Sequence, residues 1–430
     1  MKHLSIELVE LIAKQCRASN KDLASLCLVN RHFYSAVIRL LYKNVIIHGP
    51  RQYLAFKSTC SRLKQMVYRL DFSGYTTRGT RWTESKAKSI VTAEDLAVIL
   101  NECRQLKELF VGEELMHVFV SPLAIQSVFF EQQLRTLDFT GFSDQTFTKT
   151  MADYFMEKKP VTYNHHYDDA SSHWVIPKEL ENISFYMCMA LSQDRFFVPF
   201  FDKLKSGGHQ LKKLDLAYTQ INSQLFRHLP PPRTLTHLNL QGCHSLSCCS
   251  ELIDYLIQCK RLVQLNINRH IASGFCKRCI YRLLTSIDTL EIVDIGGHVE
   301  FDDELIQQLP SNRNIKHLSV ANCRQIDIKA LLNKFPQLYY LNVERVIHMN
   351  QLYNFLKSNN NNLRIIEVSS HPSLLNKIES WHLVKHGRRT YYSQSAVDPR
   401  YCYSKKIVMS KDPILSPMNR YWSYSYNIST

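Results

Sequence analysis

The stretch Leu235-Thr-His-Leu238-Asn-Leu240-Gln-Gly-Cys243-His-Ser-Leu246 carries apolar residues at its first, fourth, sixth and twelfth positions and a cysteine at its ninth. The same phase appears 24 residues earlier, in Leu211, Leu214, Leu216, Thr219 and Ile221. It recurs downstream from Leu262, Leu290, Ile315, Leu338 and Leu363, in steps of 27, 28, 25, 23 and 25 residues. Weaker copies start at Val67, Leu106, Leu134 and Leu180, giving about eleven turns in all. Between the strands, Cys249, Leu252, Ile253, Leu256 and Ile257 recur at three- and four-residue steps, as on one face of a helix. Ile280, Leu283, Leu284 and Ile287 do the same, as do Ile328, Leu331, Leu332 and Phe335. One strand and one helix per step, always in one chain sense, predict a parallel α/β array. A single copy cannot bury its own apolar edge, whereas stacked copies can.

A pattern L-x-x-L-x-L-x-x-C at steps in the twenties resembles the leucine-rich repeat. That resemblance implies a curved α/β solenoid that offers a binding surface rather than a reaction centre. The ninth position holds Cys188, Thr219, Cys243, His270, His298, Cys323 and His371. It should lie beneath the loop that leaves each strand, where backbone groups need partners and an imidazole can donate or accept. The residue between the last two apolar strand positions is expected on the inner face. That column reads Asp71, Phe110, Asp138, Ser184, Asp215, Asn239, Asn266, Asp294, Ser319, Asn342 and Glu367, five of them acidic and none basic. Asp215, Asn239, Asn266, Asp294, Ser319 and Asn342, with His237 and Gln241 beside them, are the expected target contacts. An acidic floor suits a polar or basic peptide.

The whole chain has 430 residues, 45% hydrophobic and 21% charged, the balance of a folded protein. Its net charge of +15 suits either an anionic partner or a basic outer side and loops. Basic residues gather at Arg62, Lys64, Arg69, Arg78, Arg81, Lys86 and Lys88, and again at Lys385, His386, Arg388 and Arg389. The second group precedes Tyr391 and Tyr392, an order that can hold a single nucleic-acid strand. No RNA-binding motif surrounds it, so nucleic acid is not the expected partner. No apolar run reaches the roughly 18–20 residues of a membrane span, and the start lacks a secretory signal. The 13 cysteines are therefore expected as reduced thiols in cytoplasm or nucleus.

Cys276-Lys-Arg-Cys279 has the spacing of a zinc knuckle, but no second pair follows it at a fitting distance, so core or capping thiols are expected and no metal. His165, His166, Asp168, Asp169 and His173 fall between the Leu134 and Leu180 copies, whose 46-residue separation is nearly double a normal step. That excess is read as an insert at about 144–178, either disordered or adaptor-neutral, or else target-contacting, and not as a metal site. There is no G-x-S-x-G, no H-E-x-x-H and no phosphate loop, so neither an enzyme nor a cofactor is expected.

At the N-terminus, Leu4, Leu8, Leu11 and Ile12 have helical spacing, Asn20 is placed to cap a second helix carrying Leu23, Leu26 and Cys27, and a third helix runs from about Asn30 to Leu41. An extended segment follows from Asn44 to His48. Leu4-Ser-Ile-Glu-Leu8, Ile12, Asp22-Leu23, Leu26, Leu28-Val29-Asn30-Arg31, Phe33 and Leu41-Tyr42 resemble the F-box, usually written L-P-x-E-L…I…D-L…L…V-C/N-[RK]-x-[FW]…L-Y. Ser5 stands where the family most often has proline, and serine can start the helix instead by capping it. The resemblance implies docking on the Skp-type adaptor of a cullin–RING ubiquitin ligase through Leu4, Ser5, Leu8, Ile12, Leu26, Val29, Arg31 and Leu40. Apolar helical spacing alone equally allows these residues to be the core of a cap for the repeats.

The expected organisation is an F-box-like unit over residues 1–48, a leucine-rich-repeat array over 49–378 and an aromatic-rich C-terminal cap over 379–430, in which Trp422 to Ile428 alternate like a strand. The expected function is that of a non-catalytic substrate receptor, holding an unknown target protein for ubiquitination. The alternatives are an adaptor-bound scaffold outside ubiquitin transfer, and a nucleic-acid-binding solenoid.

Overall fold

Three side-chain caps set the starts of the first three helices. In α1 (Ile6–Gln15), Ser5 Oγ accepts the Leu8 N–H at 3.3 Å, so serine takes over the start that proline would have primed. Helix α2 (Asn20–Cys27) is capped by Ser19 and not, as the spacing suggested, by Asn20. The reason is reciprocity: Ser19 Oγ accepts the Asp22 N–H at 3.2 Å, while the Asp22 carboxylate accepts the Ser19 N–H at 2.9 Å. Two open donors are satisfied at once, which Asn20 could not match. Helix α3 (Arg31–Lys43) starts with the Asn30 side chain accepting the Phe33 N–H at 2.9 Å. The three helices share a core of Val9, Ala13, Leu23, Ala36 and Val37, against which Leu26, Phe33, Leu40 and Leu41 pack.

The computed structural model describes residues 4–16, 19–78, 83–129, 133–156, 176–269, 274–324, 326–346, 349–357, 362–368, 381–386 and 389–394. The chain forms two compact units, 1–182 and 183–430. In the first, strands β1 (Asn44–Ile46), β2 (Arg69–Asp71), β3 (Glu108–Phe110) and β4 (Thr136–Asp138) run parallel, with Val45, Leu70, Leu109 and Leu137 level with one another. The 44–46 segment, grouped by sequence with the helices, is thus a sheet strand one turn ahead of the copy at Val67. Helix Gln145–Met156 buries Phe147, Met151 and Phe155. Phe147 meets Phe142 edge-on at 4.9 Å, and Phe142 lies 5.3 Å from Phe139 just beyond β4. Residues 145–156, read from spacing as the opening of an insert, therefore belong to the apolar core. His165, His166, Asp168, Asp169 and His173 lie outside the described residues.

Strand β5 (Asn182–Ser184) falls at the boundary between the units, and the second unit contains β6 (Lys213–Asp215), β7 (His237–Asn239), β8 (Gln264–Asn266), β9 (Ile292–Asp294), β10 (His317–Ser319), β11 (Tyr340–Asn342) and β12 (Ile365–Val368) in sequence order. From β6 onward, Leu214, Leu238, Leu265, Val293, Leu318, Leu341 and Ile366 pair at one level. These are the fourth-position residues of each copy, so the repeat phase and the sheet register coincide. A one-residue slip would turn every leucine outward. Most connections carry a helix, such as Glu251–Gln258, which buries Leu252, Ile253, Tyr255 and Leu256. Cys249, expected on that stripe, precedes the helix in an exposed turn with φ +56°.

After β12 the chain turns back. Strands β13 (His382–His386) and β14 (Arg389–Ser393) form an antiparallel hairpin whose β14 pairs with β12, Tyr392 opposite Ile366. Tyr392 is fully buried there and is no platform for a nucleic-acid base. The expected strand from Trp422 to Ile428 lies outside the described residues. Together these features make a leucine-rich-repeat-type α/β fold. No described helix is long and apolar enough to cross a membrane.

Candidate functional site

The helices α1 to α3 bury one face and leave another open. Leu4, Leu8 and Ile12 are exposed to 52, 47 and 47%, and Val29 to 59%. Leu11 and Leu28 are exposed beside them. Leu8 and Ile12 are one helical turn apart, so they form a stripe, while Val9 and Ala13 carry the core on the adjoining face. Eight of the fourteen large apolar side chains exposed among the described residues fall between Leu4 and Tyr34. Such clustering at one end is what a partner surface looks like, since scattered single exposures need no explanation. Ser5 and Arg31 are exposed at its edge, whereas Leu26 and Leu40 pack partly into the helical core. The eight residues expected to meet an adaptor thus split, six outward and two inward.

The polar column of the second unit is not an open floor. Asp215, Asn239, Asp294, Ser319 and Asn342 are all buried, and only His237, Gln241 and Asn266 are half-exposed. The side-chain oxygens of Asp215, Asn239, Asn266, Asp294 and Asn342 accept the backbone N–H two residues on, from Ala217 at 2.9 Å, Gln241 at 3.2 Å, Asn268 at 3.0 Å, Gly296 at 3.0 Å and Glu344 at 3.0 Å. Strand ends leave those donors unpaired, and a short acidic or amide side chain reaches back to them. Asp215 also accepts from the Asn239 amide at 3.1 Å, linking two repeats. The acidity of the column is therefore consumed inside the fold. Asp215→Ala is expected to lower stability by about 2 kcal/mol, since it strips the acceptor from two buried donors, while Asp215→Asn keeps one and should lose under about 1 kcal/mol. Urea unfolding of both variants checks the difference.

Two residues of the first basic group are likewise spent. Lys64 is buried, donating to Glu102 at 2.6 Å and to the Lys57 carbonyl at 2.8 Å. Arg69 pairs with Asp71 at 2.7 Å and stacks over the Phe110 ring at 4.1 Å. The ninth-position side chains close the repeats from within. Cys243 donates to the Leu216 carbonyl at 3.0 Å, and Cys323 to the Ile295 carbonyl at 3.5 Å. His298 accepts the Phe275 N–H on Nδ1 at 2.8 Å, so its proton sits on Nε2 and is donated to the Ile267 carbonyl at 2.8 Å. Burial, with the Arg269 charge adding to it, pushes its pKa down to about 4 against the opposing pull of the Ile267 carbonyl. His270 and His371 lie outside the described residues.

One constellation was missed by sequence spacing. Cys248 and Cys249, in the turn ahead of helix Glu251–Gln258, meet Cys276 and Cys279 at the start of helix Lys277–Ser286, with all four sulfurs within 4.8 Å of one another. Cys249 Sγ lies 3.3 Å from Cys279 Sγ and 3.6 Å from Cys276 Sγ. Burial pushes the Cys279 thiol up to about 12. Burial works against Cys276 too, but the Cys279 N–H and the neighbouring thiols outweigh it and lower its pKa. The second pair precedes Cys276-x-x-Cys279 instead of following it. Its signal was the repeat itself, because Cys249 and Cys276 stand 27 residues apart, one repeat step.

No family model matches the sequence, and no curated protein matches it. Among solved structures, the yeast Rad7–Elc1 complex is similar over 79% of this chain and 91% of that one, at 12% identity and TM-score 0.38. The leucine-rich repeat-containing protein LegL7 from Legionella pneumophila is similar over 66% of this chain and 92% of that one, at 15% identity and TM-score 0.37. The TLR13–ssRNA13 complex covers 57% of this chain and 30% of that one, at 17% identity and TM-score 0.33.

Proposed function

We propose that the chain is a non-catalytic substrate receptor of a cullin–RING ubiquitin ligase, with α1 to α3 acting as an F-box on a Skp-type adaptor and the repeats holding a target protein. The observation that carries this reading is the apolar stripe of Leu4, Leu8, Ile12 and Val29, which stands in solvent while a separate core holds the three helices together. A cap for the repeats would have turned these residues inward. Tethering a target beside the transfer machinery would accelerate modification by raising effective concentration, with no chemistry asked of this chain. Target contact falls to the half-exposed His237, Gln241 and Asn266, whereas the buried Asp215, Asn239, Asp294 and Asn342 act by holding the strand ends, and Ser319 is buried in the same column. Hairpin β13–β14 serves as the C-terminal cap, covering the edge that β12 would expose. The protein works in cytoplasm or nucleus.

Leu8→Asp with Ile12→Asp is expected to weaken adaptor binding about 100-fold or more, because each exposed leucine-sized side chain buried at an interface contributes about 1.5–3 kcal/mol. The melting temperature should hardly move, since neither residue is core. Val98→Asp, at another exposed apolar position, is the control. Adaptor binding that survives the double substitution overturns the reading. Cullin copurification with the wild type separates a ligase receptor from an adaptor-bound scaffold.

A further inference from the structure

We propose that Cys248, Cys249, Cys276 and Cys279 are the four ligands of a structural zinc ion that clamps two successive repeats of the second unit. All four are thiols and none is in a disulfide. Tetrahedral zinc with bonds of about 2.3 Å spaces its sulfurs about 3.8 Å apart. The spacings here, 3.3 and 3.6 Å with every sulfur within 4.8 Å of the rest, bracket that value. A disulfide needs about 2.05 Å.

Packing does not account for the cluster. Cys249 is exposed, and Cys248 and Cys276 are only half-buried. An uncoordinated thiol at the surface gains little from such company, and Cys249 holds a left-handed φ of +56° that costs a non-glycine residue about 1–2 kcal/mol. Coordination offsets that cost.

The surroundings suit thiolates. The Cys249 N–H donates to Cys279 Sγ at 3.2 Å, and the Cys276 N–H donates to Cys248 Sγ at 3.4 Å. Backbone donors of this kind orient sulfur ligands and spread their charge. Cys276 is the N-cap of the ten-residue helix Lys277–Ser286, whose free N–H groups present positive charge to it. The Arg269 guanidinium is within electrostatic reach of Cys248, and it donates to the His244 carbonyl at 3.1 Å and to the Leu246 carbonyl, holding the loop that delivers the cysteine pair.

Four soft ligands in a tetrahedral set select zinc or an iron–sulfur centre. An iron–sulfur cluster interposes its own sulfides and spreads its cysteines, whereas these four close on a single ion. On binding, each thiol releases its proton to the buffer, so Zn²⁺ and four S–H groups become a tetrathiolate of charge −2 and four protons. Affinity therefore falls in acid.

The test uses the full chain, purified with reductant from zinc-supplemented cells. Elemental analysis should find one zinc per chain. Exchange into cobalt(II) should give the intense visible bands and sulfur-to-cobalt charge transfer of a tetrahedral tetrathiolate. Cys248→Ser with Cys276→Ser should remove both signals, and Cys259→Ser, at a buried cysteine outside the cluster, should keep them. Titration of the wild type with an organomercurial should release the zinc as four thiolates are consumed, a readout that does not depend on any variant folding. Protein without zinc whose four cysteines react as free thiols overturns the proposal. So do bound iron, a Cys249–Cys279 disulfide in the zinc-free chain, or full zinc retention by the double variant.

Discussion

Gly297→Ala is expected to be among the most damaging single substitutions in the chain, lowering stability by about 4 kcal/mol or more. Gly297 holds φ +78°, and a Cβ built there would lie 1.5 Å from the Arg269 carbonyl oxygen. That distance is bonding distance, so the two repeats would have to separate. They are joined at this level by the Arg269 N–H donating to Gly296 at 2.8 Å and the Gly297 N–H donating to Ala321 at 2.7 Å. Separation would break this ladder across three successive turns and disturb Arg269, which supports the loop before Cys248. Gly208 is the comparison. It has φ +71° with nothing within 4 Å of the place a methyl group would take, so Gly208→Ala should lose only the left-handed backbone cost of about 1–2 kcal/mol. Urea unfolding of the two variants beside the wild type decides the matter. Equal losses would mean that steric closure at Gly297 is not what holds these turns.

Acidification should cost the fold about 3 kcal/mol through His298 alone. Its pKa, pushed down to about 4 by burial, compares with an ordinary value near 6.5 in the unfolded chain. A depressed base contributes stability that is fully present above the unfolded value. As pH falls from about 6.5 toward 4, the unfolded chain takes up a proton that the folded chain refuses, and at about 1.36 kcal/mol per pH unit the window accounts for that loss. Below it the folded imidazole is protonated as well. The imidazolium could no longer accept the Phe275 N–H, and it would lie near Arg269. His298→Gln carries no titrating group, so its stability, although lower at neutral pH, should fall less steeply between pH 6.5 and 4. The difference between the two profiles isolates the histidine, because every other acid-sensitive group is common to both. Parallel profiles would remove His298 from the account.

What could be read from the chain follows one rule. Leu214, Leu238, Leu265 and Leu341 were legible as strand centres because a period-two pattern inside a constant repeat step records which side of a strand each residue faces. Leu8 and Leu26 were not separable in this way. Both fit helical spacing, yet one stands in solvent and the other packs against the core of Val9, Ala13, Leu23, Ala36 and Val37. Spacing marks a stripe on a helix but not which of two stripes the neighbouring helices cover. The cap of α2 was misread by one position because Ser19 and Asn20 are both good caps, and the Asp22 carboxylate chose between them.

By itself, then, the sequence determined the parallel repeat, its phase and register, the helical start and the polar residues at each strand end. These are local properties, set by periodicity and by the short reach of a side chain along its own backbone. Only the tertiary structure decided that the acidic column is turned to its own N–H groups, that residues 145–156 are core, and that two cysteine pairs from successive repeats converge. Each of those outcomes depends on what the next turn of the chain places across the gap, and stacking brings into contact residues that stand 24 to 30 positions apart.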